Sequence, residues 1–290
     1  MQNIPTFSAL WQILRSIKQE IDNDRVLAVS AGVTFYVVLA MVPALTALIS
    51  LFGLVSTPQE VPGQLASLTS IMPREAATLL TDQAERIAAK PSGALSVTAL
   101  FAVGIAIWSA NGGTKALIEA LGIAYGVPET RGFVRLNAVS LAFTFSGLVF
   151  AIVLGGLVAA LPLVLQWLLR GESAETLILW GRWPVIIGVL LAVLALLYRW
   201  APDWPDIKTV WITPGAVVAA LGLIVTSSAL GWYVGNFGSY DETYGSLAAV
   251  VVLMLWVWLS TTVVLVGAEI NAELDRRNGV THTARNSVAT

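Results

Sequence analysis

Six stretches of the chain carry no Asp, Glu, Lys or Arg: Val26–Gln59, Pro91–Thr114, Leu136–Leu169, Trp183–Tyr198, Thr209–Tyr240 and Thr243–Ala268. A helix crossing the roughly 30 Å hydrocarbon core of a bilayer needs about 20 apolar residues at about 1.5 Å each. All but the fourth stretch reach that length. The fourth reaches it when Leu177–Gly181 is added and Arg182 extends its head to the lipid headgroups. Only 12% of the residues are charged, about half of the roughly 25% usual in soluble domains. These runs predict an all-α, polytopic membrane protein, a bundle of six transmembrane helices forming one domain over residues 1–277. The spans are expected at about 27–55, 92–114, 136–168, 177–198, 210–236 and 244–268, with a polar, disordered tail over 278–290.

The residues before Val26 are polar and charged, so the first apolar run reads as a retained helix rather than a cleaved signal. Within them, Phe7, Leu10, Trp11, Leu14, Ile17 and Ile21 recur at helical spacing, which predicts an amphipathic helix lying on the membrane surface. The loop Ser56–Lys90 predicts a short helical cap on the opposite side, with Pro73 suited to a helix start. Lys and Arg are more abundant in the loops that share a side with the N-terminus, which predicts both chain ends in the cytoplasm. Trp167, Trp180 and Trp183 fall at the outer ends of their spans, and Trp200, Trp204 and Trp211 at the inner ends, as interfacial indoles do.

Charge and composition narrow the function. A net charge of −2 and a pI of about 5.5 argue against a nucleic-acid partner. With no cysteine there is no disulfide or thiolate chemistry. The lone His282 lies in the tail, and no metalloprotease, nucleophile-elbow, Walker or Rossmann pattern is present. The reading is therefore no enzyme, no catalytic residue, no metal and no cofactor, with membrane lipids as partners and homo-oligomerisation left open.

Four segments carry a family resemblance: "AVSAGVTFYVVLAMVPAL", "IWSANGGTKALIEALGIAYGVPETR", "WITPGAVVAA" and "YGSLAAVVVLMLWVWLSTTVVLVGAEINAELDRR". In them the chain resembles the YihY / virulence factor BrkB family of bacterial inner-membrane proteins, from about Leu14 to Arg277. The last segment is the most specific, with its aromatic-Gly-Ser-Leu start and Gly-Ala-Glu-x-Asn-Ala-Glu close. The second departs from the family pattern in having two glycines after Asn111. The resemblance implies a six-helix inner-membrane protein with a role in envelope integrity or in transport of lipids or solutes. A ribonuclease label has been attached to members and is regarded as an error.

Polar residues at span ends supply the candidate site. Thr243–Ala268 would run about 39 Å as a helix, longer than the bilayer core. Glu269 then stands near the inner interface, either as a helix-end carboxylate paired with Arg276 or Arg277, or as a buried acid facing a cavity. Glu269 and Glu273, four apart, share a face. Lys115 and Glu119 form a second such pair, and Arg135 opens the third span on the same side. The expectation is a polar cluster of Lys115, Glu119, Arg135, Glu269, Asn271 and Glu273 at the inner mouth of the bundle. Pro43 and Asn111-Gly112-Gly113 are candidate helix breaks of the kind that bind substrate in transporters. The small-residue rows Gly147-Ala151-Gly155-Ala159 and Gly231/Gly235 predict close helix packing. Transport or flipping of an envelope lipid or solute is the first functional expectation. A non-catalytic scaffold for the envelope is the second.

Overall fold

The computed structural model describes residues 7–55, 92–147, 149, 172–204, 213–236 and 247–278. Seven helices occupy them: α1 (Phe7–Asn23), α2 (Val26–Val55), α3 (Ser92–Tyr125), α4 (133–147), α5 (Glu172–Trp200), α6 (Pro214–Asn236) and α7 (Leu247–Arg277). No strand occurs among the described residues. The expected cap over Ser56–Lys90, the rest of the third span, the later members of the Gly147 row and the tail from 279 lie outside them.

The helices begin and end for local reasons. After α1 the chain turns at Arg25, a non-glycine residue at φ 50°, and α1 and α2 meet there at 52°. A left-handed residue with a Cβ costs roughly 1–2 kcal/mol. The turn is held by Asp24 N–H donating to Glu20 O at 2.8 Å and Val29 N–H to Arg25 O at 3.0 Å. At the far end of α3, Gly126 takes φ 67°. Its N–H donates to Ile123 O at 2.9 Å and the Val127 N–H to Gly122 O at 2.8 Å. That bond pair is the Schellman closure, and Pro128 then bars the helix from resuming.

α7 is the central element. It packs on α6, α2, α3 and α1, while α2 packs along α3 and α5 against α6. The buried apolar core gathers where the later part of α3, the start of α6 and the end of α7 meet: Ile118, Leu121, Ala216, Ala219, Leu265 and Ala268 belong to it. Elsewhere the large apolar side chains face outward. On α3, Phe101, Ile105 and Trp108 are exposed; on α6, Val218, Leu221, Val225 and Trp232 are. Such stripes are unfavourable in water and at home in lipid. Among the described residues, Pro214–Asn236 and Val250–Arg277 are long and apolar enough to cross a membrane, and the bent pair Trp11–Asn23 and Val26–Ala40 makes a third if taken as one span.

Two sequence expectations change here. α3 runs as one helix through Asn111, Gly112 and Gly113, and α2 through position 43, so neither stretch is a helix break. The physical reason is packing: Gly112 and Gly113 face Tyr36 and Val37 of α2, and the Gly113 Cβ position lies 3.7 Å from the Val37 backbone N. The small residues let two intact helices approach. Among the described residues, nothing lies within 4 Å of the Cβ positions of Gly231, Gly235 or Gly147. The tight contact lies lower on α6, at Gly215, Ala219 and Gly222. A Cβ on Gly222 would sit 2.6 Å from Val263 Cγ1, and one on Gly267 would sit 2.6 Å from Gly215 O and 2.9 Å from the Ala219 Cβ.

Candidate functional site

About the last two and a half turns of α7 extend past the apolar run and carry Glu269, Asn271 and Glu273. At about 100° per residue, Glu269 and Glu273 lie on one side and Asn271 on nearly the other. Each side meets a different set of partners.

Asn271 is 4% exposed and joins three helices. Its Oδ1 accepts the Gly215 N–H at 2.8 Å, and its Nδ2 donates to the Tyr125 hydroxyl at 3.0 Å. The first bond satisfies one of the N–H groups that a helix start leaves orphaned. The Thr213 Oγ1 satisfies another, accepting from Ala216 N at 3.2 Å. The Asn271 amide fits only because residue 215 is glycine: a Cβ there would lie 2.7 Å from Asn271 Cγ and run into the Gly267 carbonyl oxygen. Nearby, the Tyr198 hydroxyl donates to Val264 O at 2.7 Å, drawing α5 onto α7. Tyr125 stacks edge-on against Tyr198 and Trp204. Burial pushes the Tyr125 phenol well up from its ordinary value, against the opposing bond from Asn271. Tyr125 lies beyond the uncharged run that ends at Thr114, and it stays a neutral hydroxyl.

The opposite side of α7 faces α1. Arg276 pairs with Glu20 at 3.2 Å and with Glu273 at 3.5 Å, and Arg277 with Glu273 at 2.7 Å. The arginines expected to neutralise Glu269 are directed to Glu273 and Glu20 instead. Glu269 is 0% exposed, and neither of its carboxyl oxygens meets a hydrogen-bond donor.

The remaining members of the expected cluster lie elsewhere. Lys115 Nζ donates to Asn137 Oδ1 on α4 at 2.6 Å and stands 5.7 Å from the centre of the Phe133 ring. It bonds neither Glu119 nor the α7 acids; Glu119 and Arg135 are exposed. Asn111 Nδ2 donates to the same Asn137 oxygen at 3.2 Å, and the Thr114 and Thr144 hydroxyls meet at 2.8 Å. The single expected cluster is therefore two: an acidic and amide group on α7, and a polar seam between α3 and α4. Asn111, read from sequence as part of a break, belongs to that seam, and its Oδ1 is buried without a donor.

A third polar group escaped the sequence reading. Arg131, its side chain 4% exposed, binds Glu129 through Nη2 at 2.6 Å and lies 3.7 Å from Asp203. Its Nη2 also donates to Ala201 O at 2.7 Å, closing a carbonyl left open past α5. Thr130 binds Asp203 through its backbone N–H at 3.3 Å and through its hydroxyl. The available signal was "PETR" and "APDW" themselves, short loops between apolar helices that carry Glu129, Arg131 and Asp203.

Helices with lipid-compatible outer faces, joined by buried polar contacts near their ends, define an α-helical membrane protein. The chain belongs to the Virulence factor BrkB family, whose sequence profile matches residues 17–289. It is 31% identical over 86% of its length, and 90% of the relative's, to the Bacillus subtilis (strain 168) protein YfkH, whose name carries a ribonuclease-like label. It is 28% identical, over 94% of its length, to a UPF0761 membrane protein of Chromobacterium violaceum, and 27% identical, over 90%, to one of Azoarcus sp. (strain BH72). The chain spans 64% and 63% of the length of those last two relatives. No solved structure matches.

Proposed function

We propose that this is a multi-pass protein of the bacterial inner membrane, with six spans and both chain ends in the cytoplasm, that moves an envelope lipid or solute across the bilayer. The observation that carries this reading is the seam between α3 and α4. Asn111, Thr114, Lys115, Asn137 and Thr144 bond one another on helices that elsewhere expose Phe101, Trp108 and Phe145. Lys115 stands at the inner end of its span, held between two helices by Asn137 rather than free at the surface. Lys115 supplies a cation for an anionic group, and the donor-free Asn111 Oδ1 supplies an acceptor for a hydroxyl or ammonium. The ribonuclease-like label stays with the relative that bears it: this sequence offers no nuclease motif.

The test is reconstitution of the purified chain into liposomes, with lipid scrambling and solute uptake measured in parallel. The wild type transports at least one probe, and Lys115→Met and Asn111→Leu lower that rate about tenfold or more while remaining folded. A wild type inert towards every probe, or variants as active as wild type, refutes transport. A second reading, a non-catalytic envelope scaffold, is favoured by the glycine-tight α6–α7 contact. Full complementation of an envelope defect by folded Lys115→Met would select it.

A further inference from the structure

Glu269 takes no part in the seam, and its surroundings are unusual. The groups facing it are the Asp24 carboxyl, within hydrogen-bond reach at the α1–α2 corner, Glu20 of α1, and Arg276 of α7 itself. Tyr125 of α3, at the same end of the bundle, is a neutral hydroxyl whose bond comes from Asn271. Arg276 hydrogen-bonds Glu20 and lies 3.5 Å from Glu273, and Arg277 binds Glu273. The Arg276 Nε and Nη2 meet no hydrogen-bond acceptor among the described residues, the Glu269 oxygens included. The Glu269 carboxyl is 0% exposed, and neither of its oxygens meets a hydrogen-bond donor among the described residues.

Two ionised carboxyls are both acceptors only, and at this range they repel. One proton changes the sign of the contact, because an O–H on one oxygen donates to the other carboxylate. A buried ionised acid without a hydrogen-bond donor is strongly disfavoured, and a proton shared with Asp24 relieves that cost. Among the described residues, no group of three or more Asp, Glu, His or Cys is arranged to hold a metal ion.

We propose that Asp24 and Glu269 form a proton-binding site that fastens the α1–α2 corner onto α7. The proton enters from solvent at that end of the bundle and forms one O–H···O bond. When it leaves to solvent, two facing carboxylates remain and the corner is pushed off α7. The site stands whether or not the protein transports anything, and its test reads no transport.

The chain has no cysteine, so Leu14→Cys and Asn278→Cys place one spin-label pair across α1 and the end of α7. In nanodiscs, the wild-type distance distribution lengthens as pH is raised. Glu269→Gln, whose amide donates permanently to Asp24, keeps the short distance throughout. Infrared difference spectra of the full-length wild type show a protonated-carboxyl band that fades over the same pH range. It responds to isotope labelling of Asp or Glu and is absent from Glu269→Gln and Asp24→Asn. A wild type without that band overturns the site even if neither variant folds. So does a band that survives both substitutions, or a distance that follows sodium rather than pH.

Discussion

Two helix pairs in this bundle use glycine, and they use it differently. Where α2 meets α3, the Cβ positions of Gly112 and Gly113 would stand 3.5 and 3.6 Å from Tyr36 and Val37 side chains, ordinary contact distances. Where α6 meets α7, added Cβ atoms on Gly215, Gly222 or Gly267 would strike backbone or a branched side chain at well under 3 Å. The first pair tolerates an alanine and the second has no space for one. The difference follows from what crosses each contact. The α6–α7 pair must bring the Asn271 amide to the Gly215 N–H, and a side chain at 215 or 267 would hold the helices too far apart. The α2–α3 pair passes no such bond at its glycines.

The sharpest way to break this comparison is Gly267→Val. It should cost about 3 kcal/mol or more by overpacking, seen as loss of monodisperse protein and a large fall in melting temperature in detergent. A near-neutral result would mean that α6 and α7 separate easily. Asn271→Leu comes next. It strands the Gly215 N–H and deprives the Tyr125 hydroxyl of its donor, an expected loss of about 1–3 kcal/mol. Hydrogen exchange should rise at the start of α6 and hardly change in α2. Gly112→Ala and Gly113→Ala should give the smallest effects, within about 1 kcal/mol of wild type and of either sign, because gained helix propensity offsets slight crowding. Melting-temperature losses as large as that of Gly267→Val would erase the distinction between the two pairs.

What the sequence makes legible follows range. Helix positions depend on local hydropathy, and a described helix overlaps each of the six uncharged runs, in the third only over its first part. Helix ends were less visible. α3 and α7 continue well past the expected 114 and 268, because a span's limit is set by the bilayer and a helix's limit by capping, here the Gly126 closure. The site was half legible. Glu269, Asn271 and Glu273 stand out as polar residues after an apolar run, yet the Asn271 partners Gly215 and Tyr125 come from distant parts of the chain. Spacing along one helix says which residues share a face and nothing about which helix that face meets. That is why Lys115 was grouped with Glu269 although its bond goes to Asn137. It is also why Gly231/Gly235 drew notice while Gly215, the glycine under most pressure, did not.

The left-handed turn at Arg25 reaches further than one strained residue. Only Asp24 and Arg25 separate α1 from α2, so the two helices share a short corner with Asp24 at its elbow. Lipid pulling on Trp11 or Leu14, both exposed on that arm, would be felt first at the elbow, beside the buried acid of α7. If the proposed carboxyl pair holds its proton there, whatever displaces α1 also changes the occupancy of a single hydrogen ion.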